Sequence, residues 1–391
     1  MKSGWVTKKL GEVCEITAGN SAPQGSDNFS ESGDRCFLRV ADMGQLHGMT
    51  IDSTRDRLSD KPKGLRLFPS GSVVFTKSGA SLLLNQRGVL ARPMHVVSHI
   101  GVLIPSNEIS SEYLYYWMCI VDFGRLVKPA HMPALRLSQV ANLDIPIPPL
   151  AEQKRIVAKI DAAFEKIDAL KANAEKNLAN AKELFQSALD EAMRPKTGWV
   201  EKRLGEVCET TSGGTPIKSR PEYYEGGTIP WLRSGEVCRK DITESEMFIT
   251  KLGMSNSSAK MMPKDTVLIA MYGATAAQSG ILRFASTTNQ AICGILPSQK
   301  FLPEFLYYYF KKIESQLAAR AQGGAQPNIS QQKIRETPVP VISLDLQQKI
   351  VERLNQATKC IETLQQNYAR QIADCAEMRQ AILREAFEGR L

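Results

Sequence analysis

Between Ala151 and Ala192 the chain has neither glycine nor proline, and small or apolar residues recur at alternating spacings of four and three. They fall at Ile156, Ile160, Ala163, Ile167, Leu170, Ala174, Ala181, Leu184 and Ala188, with Asn177 in the same track. This is the heptad seam of a long helix. An equivalent track runs through Ile350, Leu354, Ala357, Ile361, Leu364, Tyr368, Gln371, Cys375, Met378 and Ile382. Each stretch of roughly 40 residues would be about 60 Å long as a helix. A surface helix of that length needs a partner, and each seam supplies one for the other. Chain order favours an antiparallel pair, with one globular domain at each end of a rod. Asn177 and Gln371 share a register position; they either set the register or face a wet edge. A further track (Val157, Phe164, Leu178 and Phe185; Val351 and Ile372) widens the stripe beyond a two-helix seam and predicts that another subunit covers it.

Outside these stretches the pattern shortens. Apolar, β-branched runs such as Ser72–Thr76 and Thr266–Ala270 are bounded by glycine and proline and predict strands. Tyr113–Ile120 and Phe305–Ile313 predict short helices whose aromatic residues pack in a core. Proline-rich Ile145–Pro149 and Thr337–Pro340 punctuate the domain ends. These elements occur twice. Gly4-Trp5-Val6 through Leu10-Gly11-Glu12-Val13-Cys14-Glu15 returns at Gly198-Trp199-Val200 through Leu204-Gly205-Glu206-Val207-Cys208-Glu209, a shift of 194 residues. Phe37-Leu38-Arg39 returns as Trp231-Leu232-Arg233, and Gly79-Ala80 as Gly273-Ala274. The shift slips to 192 for Gly88-Val89-Leu90 and Gly280-Ile281-Leu282, then recovers to 194 at Ile156-Val157 and Ile350-Val351. A repeat this long is two similar domains in tandem, not a short-period solenoid. The duplicated unit is a domain plus its following helix. The expected fold is mixed α/β (α+β): domain one over 1–148, helix one over 149–194, domain two over 195–340 and helix two over 341–391, in a pseudo-two-fold, pseudo-cyclic arrangement. Phe387–Leu391 occupies the slot of Met193–Thr197, so joining the termini and reopening near Thr197 should be tolerated.

The 391 residues suit two to three domains, each with its own core. The opening residues carry no apolar signal-peptide region, and no run of 18 apolar residues indicates a membrane span; a cytoplasmic protein without membrane contact is expected. Eight cysteines are scattered without a Cys-x-x-Cys pair, which reads as reduced, mostly buried thiols and no metal site. The net charge is +8. Its distribution says more than its size. Lys61 through Asn107 contains no acidic residue but carries Lys61, Lys63, Arg66, Lys77, Arg87 and Arg92, and Thr266 through Pro303 also lacks acids. Such stretches suit phosphate neutralisation.

Taken in order, the landmarks resemble those of the specificity subunits of type I restriction-modification systems, over essentially the whole chain. They are the paired Leu-Gly-Glu-Val openings, Ser212-Gly213-Gly214-Thr215-Pro216, Ile229-Pro230-Trp231-Leu232-Arg233-Ser234-Gly235-Glu236 and Tyr272-Gly273-Ala274-Thr275. Thr288-Asn289-Gln290-Ala291, Gln326-Pro327-Asn328-Ile329-Ser330 and the Pro-x-Pro exits into Gln-x-x-Ile-Val helices complete them. The first copy departs more, with Ser21-Ala22-Pro23 and Pro133-Ala134-Leu135-Arg136 at the corresponding places. The resemblance implies two target recognition domains, each reading one half of a split double-stranded DNA site. It implies that the coiled coil fixes the spacing and docks two methyltransferase (modification) subunits acting on adenine N6, with restriction/translocase subunits joining them. The chain itself would hold no cofactor. S-adenosylmethionine would belong to the methyltransferase, and ATP and Mg²⁺ to the nuclease-translocase.

A non-catalytic chain is expected, since no phosphate-binding Gly-x-x-x-x-Gly-Lys-Ser/Thr, Gly-x-Gly-x-x-Gly or Asn-Pro-Pro-Tyr-like motif occurs. Asp144 followed by Glu152-x-Lys154 mimics a nuclease metal site, but the second copy has Leu346 and Gln348 there, and Glu152 opens a helix, where the dipole favours it. Candidate DNA-contacting residues are Lys77, Arg87, Arg92, His131 and Arg136 in the first domain. In the second they are Lys218, Arg220, Arg233, Tyr272, Thr275, Gln278, Gln326 and Asn328. Arg39 and Arg233 occupy equivalent places, where a buried arginine bracing the shared fold is the alternative. The seam is assigned to Ile156, Ile160, Ile167, Leu170, Leu184, Ile350, Leu354, Ile361, Leu364, Met378 and Ile382. Two competing readings are a self-sufficient nuclease or methyltransferase, which predicts turnover by the purified chain, and a coiled-coil scaffold, which predicts no sequence-specific DNA binding.

Overall fold

The computed structural model describes residues 4–44, 49–128, 133–320 and 328–391. The chain divides into two compact units, Met1–Ala174 with Arg370–Leu391, and Glu175–Ala369. Each contains one mixed α/β domain and a stretch of both long helices, Leu150–Ala192 and Leu344–Phe387.

In the first unit a five-stranded sheet runs in the order Cys14–Ala18, Ile100–Pro105, Val73–Thr76, Arg87–Leu90, Thr50–Ile51. The second unit repeats it with Thr210–Ser212, Ile292–Ile295, Val267–Ala270, Ser279–Leu282 and Asp241–Ile242. The middle strands Val73–Thr76 and Val267–Ala270 are buried at every position, which explains their unbroken apolar sequence. A smaller sheet crosses beside each. Phe37 and Leu38 pair in parallel with His95 and Val96, and Trp231 and Leu232 pair with Thr287 and Thr288. The slip of the repeat from 194 to 192 lies between these paired segments, so two residues are lost in loops while the pairing is kept.

The proline-rich exits are strands. Asp144–Ile147 pairs antiparallel with Val6–Lys9, and Pro338–Val341 with Val200–Arg203. Proline lacks a donor but is tolerated in a strand with a free edge, and these two-stranded sheets have only free edges. The domain therefore closes on its own first strand before the long helix leaves. The aromatic helices form at Ser111–Met118, where the Ser110 hydroxyl accepts from the Tyr113 N–H at 3.2 Å, and at Pro303–Lys312, which begins with proline.

Within each unit the start of one long helix packs with the end of the other. Ile156 and Ile160 share a core with Leu383, Ala386 and Phe387. Leu189 and Ala192 share one with Ile350, Val351 and Leu354. Arg155 donates to the Leu391 carbonyl at 2.7 Å, and Arg379 pairs with Asp168 and lies over Phe164 at 4.4 Å from the ring centroid. In the other unit Arg353 pairs with Glu191 at 2.8 Å. The helices are antiparallel in both units. Ile156, Ile160, Ile167, Ile350, Leu354 and Ile361 of the expected seam are buried, and Leu364 and Ile382 are half-buried. Leu170, Leu184 and Met378 are 55%, 52% and 45% exposed and do not belong to it. A strict 3.5-residue track drifts about 20° per heptad around a straight helix. With a single partner helix, only part of the stripe is covered. Asn177 is half-buried and Gln371 exposed, so they do not form a buried polar pair. No helix among the described residues is long and apolar enough to cross a membrane.

Candidate nucleic-acid interface

One edge is built the same way in both domains. At the end of the central strand Val73–Thr76, Ser78 forms a β-bridge with Ala134, and the Leu135 N–H donates to the Lys77 carbonyl at 2.9 Å. In the second domain Tyr272 bridges Asn328, and the Ile329 N–H donates to the Met271 carbonyl at 2.9 Å. Every partner is displaced by 194 residues. The backbone scaffold recurs while its side chains differ: Ser78 and Ala134 in one copy, Tyr272 and Asn328 in the other. Lys77 and Arg136 lie within two residues of the first bridge, and Arg136 is exposed. Tyr272, Thr275, Gln278 and Asn328 gather at the second, where the short helix Gly273–Thr275 leads into a tight turn. Ala277 takes a left-handed φ of 73° there while fully buried, and the Gln278 N–H donates to the Thr275 carbonyl at 3.0 Å. His131 and Gln326 lie outside the described residues.

A second group surrounds a cavity of about 520 Å³ in the second domain, which brings Lys218 and Arg233 together with Trp231, Asn289 and Gln290. Next to it in sequence, the backbone packs closely. A Cβ on Gly213 would lie 2.0 Å from the Thr288 carbonyl oxygen, and one on Gly19, 194 residues earlier, 2.3 Å from that of Val96. Glycine is required at both for the same contact. Arg220, exposed nearby in sequence, pairs with Glu222 at 3.2 Å.

Arg87 is not at an interface. It is 7% exposed, donates to the carbonyls of Asn85 and Val121, and lies 4.5 Å from the centroid of Phe123. Burial holds its pKa below the ordinary arginine value. It braces the Asn85 turn, where the backbone is left-handed with φ 51°. Arg92 is exposed but stands apart, donating to the Asp34 carbonyl at 2.8 Å. Arg39 and Arg233 are not buried; each pairs with a carboxylate, Asp56 and Glu246 respectively.

Sequence reasoning passed over the contacts that seat each domain on a long helix. Tyr116 donates to Asp161, and Tyr308 donates to Asn355 at 2.7 Å, with Lys240 3.0 Å from the Tyr308 hydroxyl. The shifts of 192 and 194 carry one tyrosine onto the other and Asp161 onto Asn355, so the repeat itself held the signal. The residues of the apparent nuclease triplet are engaged otherwise. Asp144 pairs with Lys9 at 2.7 Å, and Glu152 holds Arg155 at 2.6 and 2.8 Å. All eight cysteines are free, five of them buried; burial pushes the Cys14 and Cys293 thiols up to about 12.

A duplicated scaffold that keeps its backbone and varies its exposed side chains defines a two-headed recognition protein. The chain belongs to the family described as the type I restriction modification DNA specificity domain, which it matches over residues 2–180 and 196–371. It is a specificity subunit of a type I restriction-modification system. It is 28% identical over 279 residues to the EcoR124I/EcoR124II specificity subunit of Escherichia coli, covering 68% of each chain. It is 22% identical to the StySPI specificity subunit of Salmonella potsdam over 100% of this chain and 90% of that one. Among solved structures, the HsdS subunit from Thermoanaerobacter tengcongensis aligns with a TM-score of 0.60 at 22% identity, covering 100% of this chain and 98% of that one. A chain from a structure on complex assembly and conformational transition of the type I R-M system aligns at 0.77 and 22% identity, covering 100% and 99%.

Proposed function

We propose that each domain reads one half of a split double-stranded DNA site, and that the helix pair sets the gap and docks two methyltransferase subunits. The recurring bridged edge carries this reading. Two equivalent backbone platforms with different side chains suit two half-sites of different sequence, as a bipartite site requires. Lys77, Arg136 and Lys218 would supply phosphate contacts. Tyr272, Thr275 and Asn328 would face base edges, since amides and hydroxyls carry groove discrimination, while the buried side-chain oxygen of Gln278 would not. The exposed Leu170, Leu184 and Met378 along the helices suit cover by the partner subunits. The chain does no chemistry: methyl transfer, with S-adenosylmethionine, belongs to the methyltransferase, and ATP- and Mg²⁺-dependent cleavage to the restriction/translocase subunits.

The test is to map methylated adenines in cells carrying this chain with its modification partner. A split motif with one fixed gap is expected. Methylation without a bipartite motif, or turnover by the purified chain alone, would overturn the assignment.

A further inference from the structure

The equivalent arginines of the two domains sit differently. In the first, the Arg39 guanidinium lies 5.0 and 5.5 Å from the ring centroids of Phe29 and Phe37 and pairs with Asp56. In the second, the equivalent Arg233 turns to Glu246 at 2.6 Å, and the cavity of about 520 Å³ stands open beside Trp231. That volume is within the range of small-molecule sites, roughly 300–1,000 Å³.

Its floor and rim differ chemically. The Tyr224 hydroxyl donates to the Pro216 carbonyl at 2.6 Å, and the Trp231 indole N–H to the Gly214 carbonyl at 2.9 Å. With those polar atoms engaged, Tyr224 and Met247 offer apolar surface, and the buried Trp231 backs them, meeting the Tyr224 ring at 76°. The rim is rich in donors. Lys218 has no partner among the described residues. The Gln290 side-chain oxygen accepts from the Thr215 hydroxyl, and that of Asn289 accepts from the Ala291 N–H at 3.1 Å. Both amide NH₂ groups are thereby left for a ligand. One carboxylate, Glu225, shares the rim.

We propose that this cavity binds a single nucleotide unit, its base against the Tyr224 ring and its phosphate at Lys218 and Arg233. A flat ring suits the Tyr224 face, an anion suits Lys218 with Arg233, already paired with Glu246, beside it, and the Asn289 and Gln290 amides suit a base edge. Glu225 accepts from an exocyclic amine, so bases carrying one are preferred over thymine. The nucleotide comes either from DNA, lifted from its stack, or from the free pool; the DNA source rests on the function proposed above.

The full chain, assembled with its methyltransferase partner, is titrated with dAMP, dCMP, dGMP and dTMP by tryptophan fluorescence. Lys218→Gln and Gln290→Ala, both at exposed positions, are compared after thermal melts show the fold intact. Saturable binding is expected, weakest for dTMP and at least tenfold weaker in Lys218→Gln. Duplexes with 2-aminopurine stepped through the second half-site separate the sources. A rise in emission at one position, lost in both variants, assigns the nucleotide to DNA. Saturable mononucleotide binding without that rise assigns a free nucleotide. Absence of both, or binding unchanged in both variants, overturns the proposal. Methylation mapping fails or succeeds independently of the mononucleotide titration, so failure of the split-site reading is told apart from failure of this one.

Discussion

Arg87 and Gly213 show how packing decides what a single residue does. In an acid-free stretch Arg87 looks like a phosphate contact, because the sequence does not reveal the turn at Asn85 or the ring of Phe123. Arg87→Met would leave the Asn85 and Val121 carbonyls without donors, each at a cost of about 1–3 kcal/mol. It is expected to destabilise the first domain by on the order of 2–4 kcal/mol in denaturant unfolding. Arg136→Gln, at an exposed site on the bridged edge, should instead leave unfolding unchanged and lower the salt dependence of DNA binding by about one phosphate contact. Gly213 stands in a landmark of the second copy, but its close approach to the Thr288 carbonyl emerges only from the packing. Gly213→Ala places a methyl 2.0 Å from the Thr288 carbonyl oxygen, and loss of the second domain's cooperative melt is expected, with the first domain's melt retained. His95 adds a pH dependence. Its ring Nδ1–H donates to the Arg66 carbonyl at 3.0 Å, and burial holds its pKa below the ordinary 6.5. The unfolded chain then binds the proton that the folded one resists, so stability is lost as pH falls through about 6.5. His95→Gln should flatten the slope of unfolding free energy against pH in that window. An unchanged slope would mean that His95 does not govern it.

Among elements, the long helices were the most legible, because a heptad track free of glycine and proline, present in both copies, fits neither a strand nor a loop. The antiparallel direction followed from chain order. What the periodicity did not fix was the angular width of the covered stripe, which depends on how many partners a helix has. Ile160, fully buried between its domain and the other helix, and Leu170, 55% exposed, lie on the same heptad track yet differ in environment. Ile160→Ala is expected to cost about 2–4 kcal/mol in unfolding of the free chain, and Leu170→Ala to stay within about 1 kcal/mol. Weaker methyltransferase binding by Leu170→Ala, measured by titration, is the further expectation; equal affinity would remove Leu170 from the docking surface. The strands at Asp144–Ile147 and Pro338–Val341 were missed because proline argues against a ladder; they form because their only partner is the chain's own opening strand in each copy. The bridged edges were invisible in the sequence on different grounds. They join segments 56 residues apart, Ser78 with Ala134 and Tyr272 with Asn328, by backbone pairing that leaves no side-chain pattern.

For the whole molecule, the consequential feature is that each unit holds its domain against both helices. Tyr116 reaches Asp161 on the first helix, and Tyr308 reaches Asn355 on the second, while the opposite helix packs into the same core through Phe387 or Leu189. A domain fixed to two helices at once moves with them when their length changes. Inserting one heptad into each helix, midway between these anchors and in register, adds about 10 Å of helix at 1.5 Å per residue. At about 3.4 Å per base pair along B-DNA, the gap between half-sites should grow by about three base pairs, with both half-site sequences unchanged. Methylation mapping reads gap and sequence in one experiment. Inserting the heptad into only one helix would misalign Asp168 with Arg379 or Glu191 with Arg353, and should cost assembly instead of moving the gap. A gap that stays fixed in the double insertion, with methylation retained, would show that the spacing is set by contacts outside the helix pair, and would leave the reading of each half-site by its own domain untouched.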